Sequence, residues 1–199
     1  MRVIAGTLRS RRLHAPTGNQ TRPTHDRVKE ALFSVLGNLS DTRVLDLYAG
    51  TGALGIEALS RGASHAVFVE QSRVALECIR RNLRELNLLE SSTIVGRSVE
   101  SSVATLCRSG PYDLVFCDPP WANIESVIAT LDGASLPTWL GEQSLLLLEH
   151  PTKFCPPDTA FSGMTVEGRR SWGDTAVTFF RAAPPGERPG EASAGSSRT

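Results

Sequence analysis

The sequence predicts an α/β protein: a mostly parallel sheet of seven strands, closed by a C-terminal antiparallel hairpin and preceded by a small N-terminal β-hairpin and helix extension. Three observations predict it. From residue 43 onward, short apolar segments alternate with helical ones, the pattern of a parallel sheet carrying helices on both faces with right-handed crossovers. A glycine-rich turn, Gly50-Thr51-Gly52-Ala53-Leu54-Gly55, follows the first of these strands. Residues 164–170 and 175–181 instead alternate apolar and polar around Ser171-Trp172-Gly173-Asp174, which reads as a hairpin.

The elements follow in order. Residues 1–16 alternate apolar and basic around Gly6 and read as a hairpin or extended arm, and 17–23 are turn-like, with Gly18, Asn19 and Pro23. A helix is predicted over 24–36, where Val28, Ala31, Leu32, Val35 and Leu36 fall at helical spacing before Gly37-Asn38. Strand 43–48 leads to a helix over 53–60, strand 65–70 to a helix over 72–88, and strand 92–96 to a helix near 99–108. Strand 112–117 ends in Asp118-Pro119-Pro120-Trp121 and is followed by a helix near 123–131. Strand 143–149 is almost wholly apolar, as a central buried strand should be. The Pro-, Gly- and Ser-rich segment 183–199 is expected to be disordered.

Composition bounds the function. A chain of 199 residues is most simply one domain with a sizeable core. Net charge is zero but uneven: residues 1–30 hold Arg2, Arg9, Arg11, Arg12, Arg22, Arg27 and Lys29 against only Asp26 and Glu30. A basic arm on an acidic body points to a polyanionic partner. The four cysteines form no C-x-x-C pair and read as reduced thiols of a cytoplasmic protein. No signal-peptide pattern follows Met1, and apolar runs such as Leu145 to Leu148 are too short to span a membrane. His14, His25, His65 and His150 lack metal-ligand spacing, so no metal is expected. His150 reads as a structural residue, and Glu142 and Glu149 have no evident carboxylate partner.

The glycine turn matches G-x-G-x-x-G between a strand and a helix, with Glu70 twenty residues on, at the end of the next strand, where an acid would bind ribose hydroxyls. Such a turn receives either a pyrophosphate or the carboxylate of a methionine moiety. Asp46, at the tip of the first strand, separates these readings. An acid facing that position opposes a diphosphate and favours a cationic sulfonium, which points to S-adenosylmethionine. Adenine is expected near Arg97 and Ser98, which offer neither an acid nor an amide, so a backbone carbonyl or Ser98 would serve there.

The Asp118-Pro119-Pro120-Trp121 run supplies a second ligand site, because α/β sheets bind ligands beyond the carboxyl ends of their strands. Methyl transfer to an exocyclic amine requires that nitrogen to be held in line with its lone pair aimed at the methyl. The Asp118 carboxylate and the Pro119 carbonyl can each accept one N–H. The prolines stiffen the loop and donate none. Trp121 can stack on a base turned out of its nucleic-acid context.

With these residues in hand, the chain resembles the bacterial methyltransferases that modify a guanine N2 in small-subunit ribosomal RNA. The likeness rests on Arg2-Val3-Ile4-Ala5-Gly6, the stretch from Thr21 to Phe33, Asp46-Leu47-Tyr48-Ala49-Gly50-Thr51-Gly52 and Asp118-Pro119-Pro120-Trp121. That family usually carries Phe or Tyr where this chain has Trp121. The resemblance implies a class I methyltransferase (Rossmann-like) fold, S-adenosylmethionine as donor, and small-subunit rRNA or an assembling 30S subunit as partner of a monomeric protein. Residues 1–23 then form an RNA-binding arm, 24–182 the transferase domain and 183–199 a tail. Asp118, Pro119 and Trp121 are the expected catalytic residues. Asp46, Tyr48, Gly50, Thr51, Gly52, Glu70, Gln71, Arg97, Ser98 and Asp118 are the expected donor contacts, and Arg9, Arg11, Arg12, Arg22 and Arg27 the RNA contacts. A DNA adenine amino-methyltransferase and an idle RNA-binding module are the alternatives, with a nicotinamide-dependent oxidoreductase opposed by Asp46.

Overall fold

The computed structural model describes residues 1–16, 23–134 and 136–183. Most of the predicted tail therefore lies outside the described residues, as does the turn at 17–22. The elements are α1 (Pro23–Leu36), β1 (Arg43–Leu47), α2 (Ala53–Ser60), β2 (His65–Val69), α3 (Arg73–Glu85), β3 (Ser92–Val95), α4 (Val99–Ser109), β4 (Tyr112–Cys117), α5 (Ile124–Gly133), β5 (Leu140–Pro151), β6 (Met164–Trp172) and β7 (Thr175–Ala182). They build a seven-stranded sheet of order β3-β2-β1-β4-β5-β7-β6. β1 to β5 pair in parallel, and β7 lies antiparallel between β5 and β6.

Strand alternation sorts the core into two layers. Val44, Ala66, Phe68, Leu114, Phe116 and Leu147 face α1, α2 and α3. Leu45, Leu47, Val67, Val69, Val115 and Leu146 face α4 and α5. Every strand in the middle of the sheet is therefore covered on both faces, which explains its near-continuous apolar runs. The hairpin turn is tighter than the sequence predicts: the strands run to Trp172 and from Thr175, leaving Gly173-Asp174 as the turn. Gly173 takes a left-handed φ of 61°, open to glycine without strain. β5 is longer than 143–149, because Leu140 already pairs with Tyr112, and β7 continues the ladder out to Pro151.

The N-terminal arm doubles back on itself, the hairpin form of the two expected, with one antiparallel bridge, Arg2 to Arg12, and backbone bonds from the Val3 N–H to the Arg11 carbonyl and from the Ser10 N–H to the Val3 carbonyl, both at 2.9 Å. Its order comes from docking. Val3 and Leu13 are buried in the same cluster as α1, α2 and α3. The arm's backbone is fastened to α2: the Ile4 and Ala5 N–H groups donate to Glu57 Oε2 and Oε1 at 2.8 and 3.0 Å, and the Thr7 N–H donates to the Ser60 carbonyl at 2.8 Å. A Cβ at Gly6, which has a φ of 81°, would lie 1.8 Å from that Ser60 oxygen, so only glycine fits. Glu57 is fully buried and also meets Lys29 Nζ at 3.3 Å and Arg61 Nε at 2.9 Å.

This carboxylate is the arm's anchor. Replacing one member of a buried ion pair leaves charge uncompensated, so Glu57→Ala should lower the unfolding free energy by ~3–5 kcal/mol. Urea unfolding measures this. A loss below ~1 kcal/mol, the range of an exposed pair, would show that the arm is held by its apolar contacts alone.

Candidate functional site

The site grows from the turn between β1 and α2. Three consecutive constraints shape it. Tyr48, Gly50 and Gly52 all take positive φ, at 59, 55 and 77°. The Gly50 N–H donates to Glu70 Oε2 at 2.8 Å, while Glu70 Oε1 accepts from the N–H groups of Gln71 and Ser72 at 2.8 and 2.7 Å. One carboxylate thus ties the loop after β1 to the loop after β2. Gly55 packs so closely that an added Cβ would fall 2.4 Å from the Phe68 ring, and its N–H donates to Asp46 Oδ2 at 2.9 Å. Behind the turn, the buried Asn82 amide of α3 donates to the Thr51 carbonyl at 3.0 Å and to the His14 carbonyl at 3.1 Å.

Beside this turn, at the carboxyl ends of the strands, lies a cavity of about 260 Å³. Its wall is Tyr48, Val69, Glu70, Gln71, Arg97, Ser98, Val99, Asp118, Pro119 and Pro120. Seven residues expected from the sequence meet there: Tyr48, Glu70, Gln71, Arg97, Ser98, Asp118 and Pro119. Gly50, Thr51 and Gly52 shape the neighbouring turn without forming the wall. Trp121 opens a 3-10 turn, Trp121–Asn123, and is 40% exposed. Arg9, Arg11 and Arg12 are exposed on the arm. Arg22 and the side chain of Arg27 lie outside the described residues.

Asp46 is the principal correction. It does not face the ligand position: it is 2% exposed, on the sheet face beneath α2, satisfying the Gly55 N–H. Burial pushes its carboxyl up to about 8 against the Gly55 hydrogen bond, with Asp118 and Glu70 adding to the rise. It is not part of the cavity wall, whose carboxylates are Glu70 and Asp118.

Asp118 is open to the cavity yet surrounded by protein, and this enclosure raises its carboxyl to about 6. Glu149, which the sequence left without an evident carboxylate partner, has one in Asp118. Cys117 of β4 pairs with Leu148 of β5, so Asp118 and Glu149 emerge from neighbouring strand ends. Burial, then the Asp118 charge, push Glu149 up to about 8. Strand order was needed to see this pair; spacing alone does not show it. The Tyr48 hydroxyl is buried, and burial, with Cys117 and Glu100 beside it, raises its pKa. His150 is occupied structurally, its Nε2 lying 2.9 Å from Thr178 Oγ1. All four cysteines are free thiols. Among the described residues, no group of three or more His, Cys, Asp or Glu side chains is placed to hold a metal ion, and no helix is long and apolar enough to cross a membrane.

The chain is similar to known proteins. The model of a protein family described as conserved hypothetical protein 95 matches residues 1–181. The Bacillus subtilis (strain 168) protein YlbH, provisionally named an rRNA methyltransferase, is 33% identical over 185 residues, covering 91% of this chain and 98% of its own. Ribosomal RNA small subunit methyltransferase D of Escherichia coli (strain K12) is 32% identical over 190 residues, covering 94% and 92%. The solved structure of yhhF from Escherichia coli, provisionally named a methyltransferase, superimposes with a TM-score of 0.76 at 31% identity, covering 92% of this chain and 98% of that one. The fold is that of the class I methyltransferases.

The buried Asp46 carries a pH signature. In the unfolded chain its carboxyl loses its proton near ~4, whereas in the folded protein it holds it up to about 8. The folded state therefore binds the extra proton across that window, and stability declines as pH rises through it. Asp46→Asn keeps an oxygen for the Gly55 N–H and should flatten this decline, measured as melting temperature against pH. An unchanged slope would mean that Asp46 is ionised in the folded chain.

Proposed function

The chain belongs to the family described as conserved hypothetical protein 95, and from that membership we propose that it transfers a methyl group from S-adenosylmethionine to the exocyclic N2 amine of a guanine in small-subunit ribosomal RNA. The observation that carries this reading is the shared wall. The amine-holding acceptors, Asp118 and the Pro119 carbonyl, stand in one cavity with Tyr48, Glu70, Gln71 and Ser98. Donor and acceptor sites are thus adjacent, as an in-line displacement requires. The relatives named for rRNA methylation support the substrate class.

The residues fit such a donor. S-adenosylmethionine supplies an electrophilic methyl on a sulfonium. Glu70 and Asp118 place carboxylates where a cation is stabilised and a diphosphate is not. Glu70 Oε2 carries only the Gly50 bond and can still accept from a ribose hydroxyl. Val69 and Val99 offer apolar wall to the adenine, with the Gln71 amide and Ser98 for its polar edge. Gly50, Thr51 and Gly52 set the turn, and Asp46 acts through it by holding Gly55.

On the acceptor side, Asp118 and Pro119 would each take one N–H of the guanine amine, leaving its lone pair aimed into the cavity. Ionised Asp118 also stands where the proton released after transfer can go. Trp121 is exposed and free to stack on the base. Residues 1–23 would engage rRNA, free or within an assembling 30S subunit, through Arg9, Arg11, Arg12, Arg22 and Arg27, while 24–182 carry out transfer in a cytoplasmic monomer.

Asp118→Ala should abolish methyl transfer while calorimetry finds donor affinity nearly unchanged; loss of both together would give Asp118 a structural role. Because ionised Asp118 holds the amine N–H more strongly than a neutral carboxyl and can take the proton released after transfer, kcat/KM should rise with pH through about 6, the value its enclosure sets. A flat profile there contradicts the assignment. Nucleoside analysis after incubation with labelled donor should find N2-methylguanine in rRNA; methylated adenine in DNA instead would overturn the substrate.

A further inference from the structure

We infer that the exposed arginines Arg73, Arg80 and Arg84 of α3 continue the basic surface of the arm and bind the phosphate backbone of the RNA substrate. This rests on the rRNA reading above and extends it to a helix that the sequence placed only as a sheet cover.

The arm lies against the C-terminal end of α3: Arg11 Nη2 donates to the Glu85 carbonyl at 3.3 Å, and His14 Nε2 is 2.8 Å from Glu85 Oε2. Residues 1–16 and α3 together hold eight arginines and two glutamates in a chain whose net charge is zero. This surface is therefore a local concentration of charge. Glu85 is already engaged by Arg81 at 2.9 Å and by His14. Among the described residues, Arg9, Arg12, Arg73, Arg80 and Arg84 make no ion pair.

Steps of seven and four residues bring Arg73, Arg80 and Arg84 to one side of the helix. Glu77 shares that side, and it lines a shallow depression of about 330 Å³ with Arg80, Arg81, Arg84 and Glu85. At ~1.5 Å per residue the row spans ~16 Å. Arg73 begins it two residues after Gln71 of the cavity wall, so the row leads from the cavity to the arm. Guanidinium groups free of internal partners and arranged in a line suit successive phosphates, which they bind in bidentate fashion.

The test uses the full chain with the double variant Arg80→Glu/Arg84→Glu. Arg108→Glu, an exposed charge reversal on α4, serves as control. Binding of in-vitro transcribed small-subunit rRNA is followed through a salt series, with melting temperature and donor affinity measured in parallel. The double variant should melt and bind donor like the parent, lose rRNA affinity by about tenfold or more, and show a salt slope shallower by ~1.4, at ~0.7 per single-strand phosphate contact. Parent-like affinity and slope in the double variant, or an equal loss in the α4 control, overturn the inference while leaving the rRNA reading intact. Failure of the parent itself to bind rRNA overturns both.

Discussion

The site depends on two carboxylates that hold backbone N–H groups of the turn between β1 and α2. Asp46 takes the Gly55 N–H from beneath the helix, and Glu70 takes the Gly50 N–H from the neighbouring strand end. A turn containing three positive-φ residues has little intrinsic preference for one shape. Pinned at both ends, it has one. The cavity wall follows, because Tyr48 immediately precedes the turn and Gln71 follows the second carboxylate. Asp46 can do this work in its neutral form, since the carbonyl oxygen of a protonated carboxyl still accepts an N–H.

The arm belongs to the same construction. Asn82 bonds both Thr51 in the turn and His14 in the arm, and Glu57 fixes Ile4 and Ala5 to the helix that the turn begins. Arm and turn therefore share rigid neighbours, and a shift in one is resisted by the other. Interior packing transmits strain because it is close to crystalline density. A basic arm attached this way presents its arginines in fixed positions relative to the cavity, which a flexible tail could not do.

Much of this was legible in the sequence, for identifiable reasons. The strand and helix order could be read because central strands are apolar runs and the hairpin alternates. Glu70, Gln71, Arg97, Ser98, Asp118 and Pro119 were legible because strand ends in such sheets converge on one edge. Asp46 was misplaced although its position was implicit: it is two residues from Val44 and on the same strand face, so it points under α2 and away from the ligand. The pairing of Glu149 with Asp118 was hidden for another reason. Asp118 lies 31 positions earlier in the chain, and only the order of β4 and β5 in the sheet brings them together. Glu57 and Asn82 read as ordinary polar positions on helices, and nothing local shows that a distant arm needs them.

The distribution of charge unites these observations. The total charge of the chain is zero, so the fields at its surface come from how its charges are distributed. Carboxylates gather at the strand ends, where Asp118 and Glu149 raise each other's cost of ionisation and a cationic ligand would relieve it. Arginines gather on the arm and α3, where few acids answer them. A cation and a polyanion arriving at adjoining regions meet opposite fields, and each field would repel the other's ligand. On the proposed reading, the same segregation would favour a cation in the cavity and bring an RNA to its rim.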